Sequence, residues 1–176
     1  MTEHGRQWVI GTASLCIMFS TFAQPAFPTS PANGCELLPK EQVSQIVGGK
    51  IDSATPWPLA GKFACMYDSP AILGIDLLVK LDIGHGDSER LFDAAVQIDG
   101  GARRGKIVQG LGEKAIWNRT TTSISVGDNL DVLSGRYVVN VSFIGSTKGS
   151  PSEDVALAHA KAIATRVITN AKENGL

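Results

Sequence analysis

Apolar and polar residues alternate from Ile75 to Ile83. Ile75, Leu77, Val79, Leu81 and Ile83 share one side, and Asp76, Lys80 and Asp82 share the other. A period of two is the signature of an antiparallel strand with one wet face. The same period returns over residues 136–144, where Tyr137, Val139, Val141 and Phe143 fall together. Residues 62–68 form an earlier strand behind the rigid turn Thr55-Pro56-Trp57-Pro58. Shorter strands are predicted at 106–109, 115–118, 121–126 and 130–133. Turns separate them at Gly110-Leu111-Gly112-Glu113, Gly127-Asp128-Asn129 and Ser134-Gly135. Turn residues at this spacing describe a meander of hairpins.

Three segments carry the helical period instead. Val43, Ile46 and Val47 make a narrow apolar face that Pro39 opens and Gly48-Gly49 closes. Leu91, Phe92, Ala95 and Val96 follow a cap at Asp87 or Ser88 and stop before Asp99-Gly100-Gly101. Ala156, Ala160, Ile163, Ala164, Val167 and Ala171 form a small-residue stripe suited to close docking on a sheet. Ser150, Pro151 and Glu153 offer a cap, a first helical position and a capping box for that last helix. The fold class predicted is α+β: an antiparallel β-sheet meander packed by an N-terminal short helix, a middle helix and a long C-terminal helix.

The first residues do not belong to that pattern. Arg6 precedes an uncharged apolar run over residues 8–23, and Thr21-Phe22-Ala23 places small residues at the positions a signal peptidase reads. Residues 1–23 are therefore expected to be a signal peptide, cleaved near Ala23-Gln24, with the protein periplasmic or secreted. An uncleaved leader would be the one route to a membrane. Residues 24–34, rich in proline, make a tether, and residues 35–176 a single domain. Cys16 follows the bulky Leu15, which does not suit lipid attachment. The exported chain then retains Cys35 and Cys65, an even number in an oxidising compartment. They are expected to form a disulfide, with two free buried thiols as the alternative. No nearby His or Cys completes a metal set around them.

Composition narrows the partners. With 43% hydrophobic and 19% charged residues and a formal net charge of −1, the chain has no basic surplus for nucleic acid. Arg103, Arg104 and Lys106 read as a solvated loop. His85, between glycines, and His159, among alanines, lack the spaced partners that a metal ligand or general base requires. No Gly-x-Ser-x-Gly elbow is present. Gly110 and Gly112 read as a tight turn, because a strand-like segment follows them where a phosphate loop would lead into a helix. Asn118-Arg119-Thr120 and Asn140-Val141-Ser142 match glycosylation acceptors, which matter only in a eukaryotic secretory pathway.

Cys35-x-Leu37-Leu38, Gly48, Cys65-x-Tyr67, Gly110-Leu111-Gly112-Glu113-x-Ala115 and the Ala-rich closing helix together resemble a broad group of small exported bacterial proteins and lipoproteins of unknown function. The likeness spans roughly residues 35–172. Glu113 stands where that group usually has aspartate. The resemblance implies an α+β domain in the periplasm or cell envelope and brings no catalytic residues. The reading reached is a non-enzymatic envelope module that binds a protein or small molecule, with no cofactor. Contacts are expected at Trp57, Gly110, Gly112, Glu113 and Trp117. The alternatives are a hydrolase-like enzyme whose site assembles only in three dimensions, and a membrane-anchored accessory subunit.

Overall fold

The period-two segments pair into one seven-stranded antiparallel sheet in a computed structural model of the chain. Residues 30–60, 62–68, 75–84, 87–98, 105–146 and 150–176 are described; the segment expected to be a signal peptide and most of the expected tether lie outside them. Two short helices, α1 (Gly34–Leu37) and α2 (Lys40–Val47), open the fold. β1 (Ser53–Pro56), β2 (Phe63–Asp68) and β3 (Ile75–Ile83) follow, and then α3 (Ser88–Ile98). β4 (Lys106–Ile107), β5 (Lys114–Thr121), β6 (Ser125–Ser134) and β7 (Tyr137–Ser146) lead to α4 (Glu153–Glu173). The strand order is β1-β2-β3-β7-β6-β5-β4. Two meanders thus meet where β3 pairs with β7, from Ile75↔Gly145 to Ile83↔Tyr137.

One sheet face carries the main core. Leu77, Val79, Leu81, Trp117, Leu130, Val132, Val141 and Phe143 are buried there, as the alternation predicts. The α4 stripe covers them, with Ala156, Ala160, Ile163, Ala164 and Ala171 fully buried. Its small side chains let the helix axis approach the sheet. The opposite face is partly covered by α3, where Phe92 and Val96 pack on Leu133 and Val138. Covered on both faces, β6 buries consecutive residues Val132 and Leu133.

The predicted disulfide is present: Cys35 of α1 is bonded to Cys65 of β2, with Cα atoms 5.1 Å apart. Gly34 makes this approach feasible. A Cβ at that position would lie 2.7 Å from the Phe63 backbone, so any other residue would push α1 off the strand. The Asn33 side chain caps α1 by accepting from the backbone N–H groups of Cys35 and Glu36. Tyr67 then donates its hydroxyl to the Leu38 carbonyl at 2.5 Å. From α4, Asn170 donates its amide to the Leu37 carbonyl at 2.8 Å and to the Gln42 side chain at 3.0 Å.

Three sequence expectations change. Gly127-Asp128-Asn129 is not a turn but lies within β6, because each residue finds a cross-strand position opposite β5 and β7. The reversal falls at residues 122–124 instead, where the Thr122 hydroxyl accepts from the N–H groups of Ile124 and Ser125. The cap of α4 is Ser152, not Ser150, and Glu153 makes no capping box; its carboxylate reaches Lys106 and Trp117. The strand expected over 106–109 is reduced to the two residues of β4.

Candidate functional site

The turn between β4 and β5 is built around a glycine that admits no substitute. Gly112 has φ +61°, and a Cβ there would sit 2.3 Å from the Leu133 carbonyl oxygen. That closeness lets the neighbouring Glu113 N–H donate to the same carbonyl at 2.7 Å. The Glu113 carboxylate in turn accepts from the Gly135 N–H at 2.8 Å, which ties the turn to the β6–β7 hairpin. Gly110 also takes positive φ, at +74°. On the other flank, Lys114 donates to Glu89 of α3 at 2.8 Å. That bond holds the Glu89 carboxyl below the ordinary range and raises the Lys114 ammonium.

Between this turn and α3 lies a cleft of about 290 Å³. Phe92, Leu111 and Ile116 line it, Ile107 stands at its mouth, and Glu113 and Lys114 form its rim. Ile107 is 75% exposed, which leaves an apolar side chain open to solvent beside the cleft. Both charged side chains of the rim are hydrogen-bonded to neighbours, Glu113 to Gly135 and Lys114 to Glu89. Beyond Ile116, the same sheet face becomes polar. Asn140 donates to Asp131 at 2.9 Å, and the Ser142 hydroxyl lies 2.8 Å from the Asn140 and 2.5 Å from the Asn129 carboxamide oxygen. Asn118 is 5% exposed in the same row, and its carboxamide makes no hydrogen bond with a described residue. Period-two alternation marks these residues as one face, but it predicts a wet face, and Asn118, Asp131 and Ser142 are buried. Buried Asn118 and the hydrogen-bonded Asn140 also make poor glycosylation acceptors as they stand.

The residues singled out from the sequence do not converge. Gly110, Gly112 and Glu113 border the cleft together. Trp57 lies at the other end of the sheet, half-buried between β1 and the 3₁₀ turn Pro58–Ala60, with its backbone N–H donating to the Ala64 carbonyl. Trp117 is corrected from contact residue to core residue. It is 1% exposed on the α4 face, and its indole N–H donates to Glu153 at 3.2 Å. His159 is half-buried on α4, and loss of water lowers its pKa. His85, Arg103 and Arg104 lie outside the described residues, whereas Lys106 donates to Glu153 at 2.6 Å. Among the described residues, no three His, Cys, Asp or Glu side chains converge as a metal set. Nor is any helix among them long and apolar enough to cross a membrane.

No family model matches the chain, and no curated protein matches it. Among solved structures, it is similar to a protein from Bacteroides thetaiotaomicron VPI-5482, crystallised at 1.50 Å resolution, with 10% identity and a TM-score of 0.43. The match covers 58% of this chain and 38% of that one, so the chain spans about two fifths of the protein it matches.

Proposed function

We propose that this is an exported module of the cell envelope that binds a partner or small ligand through the cleft between α3 and the β4–β5 turn. The observation that carries the reading is the cleft itself, with an apolar lining, an exposed Ile107 at its mouth and a rim fixed by hydrogen bonds. A concave apolar site with few oriented polar groups is the usual form of a ligand pocket. Its size suits one apolar group, such as a buried side chain of a partner or the end of an acyl chain. Export is supported by the apolar run at residues 8–23 and by the Cys35–Cys65 bond, which suits an oxidising compartment.

Binding of an amphipathic fluorescent probe such as anilinonaphthalene sulfonate tests the cleft. Saturable binding is expected, weakened about tenfold by Ile107→Asp, which places a charge where an apolar contact of about 1.4 kcal/mol or more was made. Equal affinity of the two proteins would remove the cleft from the account. N-terminal sequencing of the purified protein tests export, with a first residue near Gln24 expected.

A further inference from the structure

The start of α4 is fastened to the sheet by charged groups. Arg119 of β5 and Asp128 of β6 are register partners on the α4 face, with Arg119 Nε 3.1 Å from Asp128 Oδ1. The same guanidinium donates through Nη2 to the Pro151 carbonyl at 3.0 Å, just ahead of the helix. Asp128 is completely buried, yet neither of its oxygens accepts an aligned hydrogen bond. The Arg119 contact is close enough to be an ion pair, but its N–H is not aimed at the oxygen.

Among the described residues, the charged groups around Asp128 are Arg119 from β5 and Glu153 from α4, with Lys106 of β4 acting through Glu153. β7 presents the buried, apolar Phe143 as the other register partner. Glu153 is held ionised: the Lys106 bond, helped by Trp117, keeps its carboxyl below the ordinary range despite partial desolvation. One carboxyl of the cluster is therefore stabilised in its charged form, and the other is stripped of water beside it.

We propose that Arg119, Asp128 and Pro151 form a proton-operated clasp, closed on the first turn of α4 when Asp128 is protonated and slackened when Asp128 ionises. Burial pushes the Asp128 carboxyl up to about 6; nearby Glu153 adds to this, and Arg119 opposes it. A protonated Asp128 leaves the guanidinium free to serve the Pro151 carbonyl. An ionised one, with no other aligned donor, draws the guanidinium fork toward itself and away from that carbonyl. The folded-state pKa lies above the unfolded value of 3.8, so the contribution to stability is complete below that value. It is lost as pH rises through about 6.

Carbon-13 NMR of the aspartate carboxyls in the full-length chain, followed with pH, tests this. Asp128 is expected to titrate near pH 6, and the amide resonances of residues 152–155 to shift with the same midpoint. Glu153→Gln should move both midpoints lower. Asp128→Asn should remove them and also abolish the fall in melting temperature expected of the native protein between about pH 4 and pH 7. An Asp128 midpoint below about 4.5, helix-start amides that ignore it, or parallel melting curves for the two proteins would each overturn the clasp. If Asp128→Asn does not fold, the titration of the unsubstituted protein decides alone.

Discussion

At the β2 corner of the sheet, α1 is held by a covalent bond and by hydrogen bonds between neutral groups. At the β5 corner, the start of α4 is held by Arg119, Asp128, Lys106 and Glu153. Each corner contains a buried acid whose proton burial retains: Tyr67, pushed well above the ordinary phenol value, and Asp128. The same desolvation has different consequences because the starting values differ. Tyr67 starts at 10.0, so raising it leaves the corner neutral at any physiological pH. Asp128 starts at 3.8, so raising it brings the group to about 6, within reach of ordinary changes in pH. One corner is therefore blind to protons and the other responds to them.

Removing the covalent bond is the strongest way to break this contrast. With a sequence separation of 30, the Cys35–Cys65 link restrains the unfolded chain by about 3.5 kcal/mol in the chain-entropy model. Cys35→Ala combined with Cys65→Ala should therefore lower the melting temperature by on the order of ten degrees, measured by circular dichroism. The loss should be the same at pH 5 and pH 8, since neither the disulfide nor the Tyr67 phenol changes its protonation between them. A pH-dependent loss would mean that the two corners are coupled.

Tyr67→Phe sharpens the contrast at smaller cost. It leaves the buried Leu38 carbonyl without its donor, which should cost about 1–2 kcal/mol near neutral pH. The sign of the pH effect follows from the raised folded-state pKa. The phenol's contribution is complete below the unfolded value near 10 and falls away as pH rises beyond it. The native protein should thus lose stability between about pH 9 and pH 11 more steeply than Tyr67→Phe, as denaturant titrations at each pH would show. Parallel slopes would mean that the hydroxyl is not buried in solution.

How far each corner can be read from the sequence follows the same division. Apolar alternation places Leu77, Val79 and Leu81 on the core face, and the helical period places Ala156, Ala160 and Ile163 against them, because burial of these side chains is a local pattern. Cys35 and Cys65 pair as expected, since no other cysteine lies between residues 24 and 176. Gly34 escapes notice because its reason lies in the Phe63 backbone, distant in sequence. At the β5 corner, the local signals mislead. Gly127-Asp128-Asn129 has turn composition, yet the Arg119 pairing across β5 and the Asn129–Ser142 contact keep it extended. Glu153 is three residues past a plausible cap, but Lys106 and Trp117 compete for its carboxylate and win. Of the candidate site, the Gly110–Glu113 turn was legible, while Phe92 and Ile107 were not, because only tertiary packing brings α3 beside β4.

Lys106 supplies the mildest test of the charged corner. Its ammonium is 2.6 Å from Glu153 Oε1, but the side chain is 70% exposed, so solvent screens most of the attraction. Lys106→Met should cost no more than about 0.5 kcal/mol in dilute buffer, and less at about 1 M salt, where the screening length shrinks to about 3 Å. The more telling effect is indirect. Without Lys106, Glu153 loses the main hydrogen bond that lowers its pKa, yet a carboxyl near its ordinary value of 4.5 is still ionised around pH 6, and its charge then faces Asp128 without the ammonium that offset it. The Asp128 midpoint should then move upward by a few tenths of a pH unit or less, a shift the carboxyl NMR titration can detect even where the change in stability cannot be measured. If the midpoint falls instead, Lys106 acts on Asp128 by some route other than Glu153, and the charged corner must be redrawn.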